Sequence, residues 1–206
     1  MLHFMPPMLH RRARRRHCTF ATAWVSTMIP AMPQEPRQDP QTVQPTGERV
    51  SPLIDGVKIR PAVTQVDERG SLCEIFSPAW GFHDAPLVYL YTFTISVGRV
   101  KGWVKHHHQD DRIFVSHGRV KIVLYDDRPQ SKTYKLLNVL CFSDHQRVLI
   151  SYPSHIYHAF QNIGDTEAIL INLPTKPYNH ASPDKFRLPL LNDTIPYRFD
   201  TVSGGG

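Results

Sequence analysis

Three histidines run together at positions 106 to 108 in WVKHHHQDDR (103 to 112), with two aspartates and an arginine directly behind them. An imidazole titrates near neutral pH and, when neutral, is also a common ligand for divalent metals. The run therefore has three readings: an acid/base site, a metal site, or a polar turn. In an extended strand successive side chains point to opposite faces, so His106 and His108 share one face and His107 takes the other. His107 is accordingly not expected in the site. A second cluster, YPSHIYHAFQN (152 to 162), adds His155 and His158.

The segments that must position these histidines read as strands. LVYLYTFTISV (87 to 97), RIFVSH (112 to 117), RVKIVLY (119 to 125), RVLISY (147 to 152) and AILINL (168 to 173) are rich in β-branched and aromatic residues and bounded by Gly, Pro, Asp or Asn. No long segment of helical period separates them, which predicts an antiparallel β-sandwich or barrel. SHGRV (116 to 120) and NIGDTE (162 to 167) are expected to be hairpin turns in which glycine supplies a positive φ. YDDRP (125 to 129) reads as an exposed turn with local charge pairs.

The chain's 206 residues, 41% of them hydrophobic, suffice for one buried core. Residues 1 to 50 hold seven arginines and no lysine against three acids, a surplus of four out of the formal +6. The remainder is nearly balanced, which gives no support for a nucleic-acid face on the folded part. Arg11 to Arg16 read as a short solvated basic tail, and Pro30 to Pro52 as a disordered lead-in too poor in bulky apolar residues to offset chain entropy. The stretch RRARRRHCTFATAWVSTMIPAM is either a transit-type peptide or sequence ahead of a later start at Met28 or Met32. The expected organisation is a disordered segment 1–50 followed by a β domain 51–206. Cys18, Cys73 and Cys141 lack C-x-x-C spacing and are expected as reduced thiols in a cytoplasmic setting. No apolar run is long enough to span a bilayer. No G-x-G-x-x-G, P-loop, G-x-S-x-G or H-E-x-x-H motif is present, so dinucleotide, NTP, serine-hydrolase and zincin chemistry have no sequence support.

Pro153 to Asn162 reads P-x-H-x-x-H-x-x-x-N, which resembles the second signature of the cupins, small jelly-roll barrels, with His155 in place of a glycine. Their first signature, H-x-H, three or four residues, Glu, six residues, Gly, is approximated by His106, His108, Arg112 and Gly118. A guanidinium cannot coordinate a cation, so Arg112 opposes a metal in that position, and a three-histidine set of His106, His108 and His158 is the metal alternative.

Within the cupins, VDERGSLCEIF (66 to 76), GRVKGWVKH (98 to 106), GRVKIVLYDDRPQSKTY (118 to 134) and LLNDTIPY (190 to 197) resemble, in order, segments of the dTDP-4-dehydrorhamnose 3,5-epimerases. The resemblance spans roughly residues 57 to 198 and implies an all-β cupin jelly-roll barrel that forms a homodimer and binds a nucleotide sugar. It also implies no metal or other cofactor, and proton abstraction beside the ketone of a 4-keto-6-deoxy nucleotide sugar. Carried over by motif, His106 matches the general base and Asp193 the carboxylate that orients it. Arg69 and Glu74 match substrate-binding positions, Lys101 a diphosphate contact, and His158 a barrel histidine. Arg112 falls where it can stabilise the enolate, His108 lines the mouth, and Trp103 beside the histidines is expected to stack on sugar or base.

Three departures from the family pattern stand out. KGWVKH is two residues longer than R-G-x-H, which aligns Val104 with the base. The lysine that helps stabilise the enolate falls at Asp111 or Arg112. The tyrosine that reprotonates the opposite sugar face is replaced by Ile171 or Asn172, leaving Tyr157 and Tyr178 as displaced candidates. Two other functions therefore stay open: a non-catalytic nucleotide-sugar-binding cupin, and a metal-dependent cupin enzyme.

Overall fold

The computed structural model of the chain describes residues 38–200. The arginine run, Cys18, the transit-type stretch and most of the expected disordered segment lie outside the described residues. Residues 42 to 50 are exposed and carry one isolated bridge, Val43 to Arg49.

Two antiparallel five-stranded sheets make the body. The first runs in the order β1 (Lys58–Pro61), β9 (Val148–Tyr152), β6 (Asp111–His117), β11 (Ala168–Asn172), β4 (Tyr91–Ile95). The second runs β12 (Phe186–Arg187), β5 (Val100–Lys105), β10 (Ile156–Asn162), β7 (Arg119–Asp126), β8 (Leu137–Ser143). A separate hairpin pairs β2 (Thr64–Asp67) with β3 (Gly70–Cys73), and one 3₁₀ turn spans Pro78–Trp80. Ile113, Val115, Ile150, Tyr152 and Leu170 of the first sheet pack on Ile122, Leu124, Leu140, Ile156 and Phe160 of the second.

Both sheets are also covered on their outer faces. Trp103, Val123, Tyr125, Tyr157 and Ala159 lie under the C-terminal Ile195 and Phe199. Phe114, Leu149 and Leu173 lie under Ile75, Phe76 and Phe82. A strand covered on both faces shows a continuous apolar run, so its inward set is legible only from the pleat. That pleat sends Asp111, Ile113 and Val115 inward and Arg112 and Phe114 outward; likewise His158 points in and Tyr157 out.

The strand expected over 87 to 97 is shorter, Tyr91–Ile95, because residues 87 to 90 follow Pro86 on the surface without pairing. Gly118 turns β6 into β7 with φ 83° as expected, whereas Gly164 has no positive φ; its turn is held by Asn162, whose Nδ2 donates to Ile95 O (2.8 Å) and Thr166 O (2.7 Å). YDDRP is not merely a surface turn. Asp126 is fully buried and its carboxylate accepts from Arg128 Nε (2.8 Å), Ser131 Oγ (2.7 Å) and Thr133 Oγ1 (2.7 Å). Cys73 and Cys141 are free thiols.

Candidate active site

Between the sheets opens a cavity of about 300 Å³. The second sheet contributes Lys101, Val104, His106, His158 and Arg187; the first contributes Tyr91, Phe93, Asp111 and Asn172; Lys185 closes one side. A β-bulge makes the β5 wall. His158 pairs with Val104 but Phe160 with Lys101, so an extra residue on β5 shifts the alternation. Lys101 and Val104, three apart, thereby both face the cavity, while Trp103 between them turns outward. Gly102 permits this: a Cβ there would overlap Ala159 Cβ, lie 2.6 Å from Ala159 Cα and 2.9 Å from His158 O, at φ 143°.

His106 follows directly on β5. Its Nδ1–H donates to the Asp184 carbonyl, and its own carbonyl accepts from His155 N at 2.7 Å. The Asp184 carboxylate accepts from the backbone N–H of His107 and of His108, both at 2.8 Å, so one residue fixes three successive histidines. With Nδ1 committed, Nε2 is the working nitrogen, and it stands 3.4 Å from Asp111 Oδ2. His158 Nε2 is 3.7 Å from the same oxygen, and Tyr152 donates its hydroxyl to it at 3.3 Å. Oδ1 of Asp111 accepts from Gln109 Nε2 (3.1 Å) and Asn172 Nδ2 (3.0 Å).

Protonation follows from this arrangement. Burial opposes a charge on His106, but the Asp111 carboxylate beside it, with help from the Asp184 carbonyl, raises its pKa above the ordinary imidazole value. Burial would push Asp111 up, yet His106, His158 and the Asn172 amide hold it well below the carboxylate range. His158 is depressed to about 4, burial being the main cause, against the opposing pull of Asp111. One histidine thus has its charged form favoured and its neighbour is held neutral. Lys185 is lowered, by burial first and then by the Arg187 charge.

The expected residues divide sharply. His106, His158 and Lys101 line the cavity. His108 and Tyr178 line an adjoining depression that shares Tyr91, His106 and Lys185 with it. Asp193 is not beside His106: its side chain is fully exposed and lies 3.9 Å from Arg198, so the carboxylate at the imidazole is Asp111. Arg112 does not face the cavity. It is 0% exposed on the outer side of β6, where its guanidinium donates to the carbonyls of Leu173 (2.6 Å), Ala85 (2.9 Å) and Pro86 (3.0 Å) and lies over Phe76. Trp103 is 0% exposed in the outer cluster with Tyr197 and Phe199, out of reach of a ligand. Arg69, paired with Asp67 at 2.5 Å on the β2–β3 hairpin, and the exposed Glu74 just after it do not line the cavity.

Asp111, Asp184, Lys185, Arg187, Asn172 and Tyr91 were not expected as site residues. The pleat groups Asp111 with Ile113, but both faces of that strand are buried, so the sequence does not say which set points inward. Nothing local marks Asp184, which acts through a contact 78 residues away in sequence. The metal-capable group among the described residues is His106, Asp111 and His158, whose ligand atoms all lie within 4.8 Å of one another; His108 is not part of it.

No family model matches the chain. A probable low-salt glycan biosynthesis epimerase of Haloferax volcanii, Agl13, is 34% identical over 140 residues, which cover 67% of this chain and 89% of that protein. The spore coat polysaccharide biosynthesis protein SpsL of Bacillus subtilis is 28% identical over 151 residues, 72% of this chain and 98% of that protein. Among solved structures, a dTDP sugar isomerase from Desulfovibrio desulfuricans superposes with a TM-score of 0.65 at 23% identity, over 70% of this chain and 90% of that one. Two packed antiparallel sheets around a titratable cluster are the barrel fold that these solved structures share. The chain belongs to the dTDP-4-dehydrorhamnose 3,5-epimerase-like family of the cupin superfamily, as a divergent member.

Proposed function

We propose that the protein is a sugar-nucleotide epimerase or isomerase that removes the proton next to the ketone of a 4-keto-6-deoxy nucleotide sugar. The observation that carries this is His106 Nε2 3.4 Å from a buried carboxylate in a cavity also lined by Lys101, Lys185 and Arg187. A proton beside a ketone is weakly acidic, so its removal needs a base near neutral pKa and positive charge for the enolate. Asp184 fixes the tautomer, Asp111 raises basicity and stabilises the imidazolium that forms, and Lys185, lining the same cavity, supplies positive charge for the enolate. Lys101 and Arg187, both exposed, suit a diphosphate.

The reaction serves deoxysugar glycan assembly in the cytoplasm, without nucleic acid or membrane as partner. The enzyme works as a homodimer, which brings Arg69 and Glu74 of the β2–β3 region to the cavity of the other copy. Deuterium incorporation from D₂O at C3 and C5 of dTDP-4-keto-6-deoxyglucose, followed by NMR with chelator present, tests the reading. Exchange that is lost in His106→Ala supports metal-free base catalysis; tight binding with no exchange would make the protein a binding module.

A second reading is favoured by one feature, the convergence of His106, Asp111 and His158. Two imidazoles and a carboxylate are a donor set for Zn²⁺ or Fe²⁺. Exchange abolished by chelator and restored by one equivalent of metal would establish it in place of the first.

A further inference from the structure

Inversion of a carbon beside a ketone takes a proton off one face and returns one to the other, so a base alone leaves the reaction half built. The His106 and His158 rings stand on the second sheet. Across the cavity, on the first, Asn172 and Tyr91 are directly opposite each other in the β11–β4 register, which puts both side chains on the same face. Asn172 Nδ2 donates to the Tyr91 hydroxyl oxygen at 2.9 Å and to Asp111 at 3.0 Å. The hydroxyl is therefore held as an acceptor, while its own proton has no acceptor among the described residues.

Resting on the proposed epimerase function, we propose that Tyr91 is the acid that protonates the enolate carbon on the face opposite His106. The remaining tyrosines are placed otherwise. Tyr157 points out of the barrel beneath Lys105, Tyr152 is fully buried with its proton committed to Asp111, Tyr89 and Tyr178 reach only the adjoining depression, and Tyr125, Tyr134 and Tyr197 do not line the cavity. Burial first, and then the Asp111 charge, push Tyr91 up to about 12, so the phenol carries its proton throughout the working range.

The step balances. His106 Nε2 takes the C–H proton and the electron pair moves to the carbonyl oxygen as an enolate. The enolate re-forms the ketone as its carbon takes the phenol proton, leaving imidazolium and phenolate. The phenolate is met by the Asn172 amide, and both groups return to their starting states through solvent at the cavity mouth.

The test compares wild type and Tyr91→Phe on dTDP-4-keto-6-deoxyglucose in D₂O, scoring deuterium in the starting configuration and in the inverted product separately. The expected result is exchange retained within about threefold and inversion reduced about 10²-fold or more, the lower end of a general acid's contribution. Asn172→Ala, which leaves the phenol and removes its amide partner, should slow inversion more than exchange, and guards against a Tyr91→Phe variant that fails to fold. Inversion at the wild-type rate in Tyr91→Phe, or inversion lost in Tyr178→Phe instead, overturns the assignment and leaves the epimerase reading standing. Absence of any exchange in the wild type sinks both.

Discussion

Asp111 shows how one carboxylate can set two histidines to different tasks. At 3.4 Å from His106 it outweighs the burial penalty and raises that imidazole, whereas at 3.7 Å from the more deeply buried His158 it does not. Because the base must be neutral to act, activity should rise with pH through the His106 titration. The acid limb of kcat/KM is expected above the ordinary value of about 6.5. Asp111→Asn removes the charge responsible and should move that limb to lower pH; an unmoved limb would assign it to another group. His158 bears on stability with the opposite sign. Its folded value, about 4, lies below the unfolded value of 6.5, so the unfolded chain binds the proton first and stability is lost as pH falls from 6.5 toward 4. The full shift corresponds to about 3 kcal/mol. Urea denaturation between pH 7 and pH 4 should show this loss in wild type and a flatter profile in His158→Gln. His106, raised when folded, contributes the reverse: stability present below its unfolded value and lost as pH climbs through its folded one.

At the scale of the strand, a one-residue choice decides whether a charge is chemical or structural. In DDRIFVSH both neighbours of the pleat are buried, so hydropathy does not distinguish the face of Asp111 from that of Arg112. Counting toward the cupin glycine favoured the arginine, and the true inward residue lay one position earlier. The placement of His106 and His158 in the cavity was legible from their spacing, whereas His108 reaches only the adjoining depression. What could not be read was the bulge at Gly102 and the reach of Asp184, since each depends on a partner strand or loop far along the chain. Two substitutions test this account of the strands. Arg112→Met removes a guanidinium that satisfies four carbonyls, those of Leu173, Ala85, Pro86 and Pro174, and should cost roughly 3 kcal/mol in urea denaturation, while leaving the acid limb of kcat/KM in place; a displaced limb would return Arg112 to the chemistry. Gly102→Ala places a methyl against Ala159 at a φ natural only to glycine, and about 2 kcal/mol or more is expected from overpacking alone. Its failure to destabilise would mean the bulge is not held as described.

Among the described residues, apolar side chains stand exposed on one hairpin and beside one sheet edge. Val66 is 77% exposed and Leu72 64% on the β2–β3 hairpin, and Leu87, Val88 and Leu90 are exposed ahead of edge strand β4. Apolar surface grouped on an unpaired hairpin and beside a sheet edge is the kind that association covers. Arg69 sits on that hairpin and does not line its own cavity. If the hairpin docks on a second copy with twofold symmetry, each cavity combines His106 from one chain with Arg69 from the other. His106→Ala and Arg69→Ala proteins would then each be impaired, but mixed after partial unfolding they would reassort, and half of the dimers would carry one intact site. Recovery of roughly a quarter of wild-type turnover is expected from that statistics. Light scattering should show the dimer, and Leu72→Asp should shift it toward a single 23.7 kDa chain and lower activity in a concentration-dependent way. A mixture that recovers nothing, from variants shown to exchange subunits, would place Arg69 outside the site and leave the hairpin a purely structural contact.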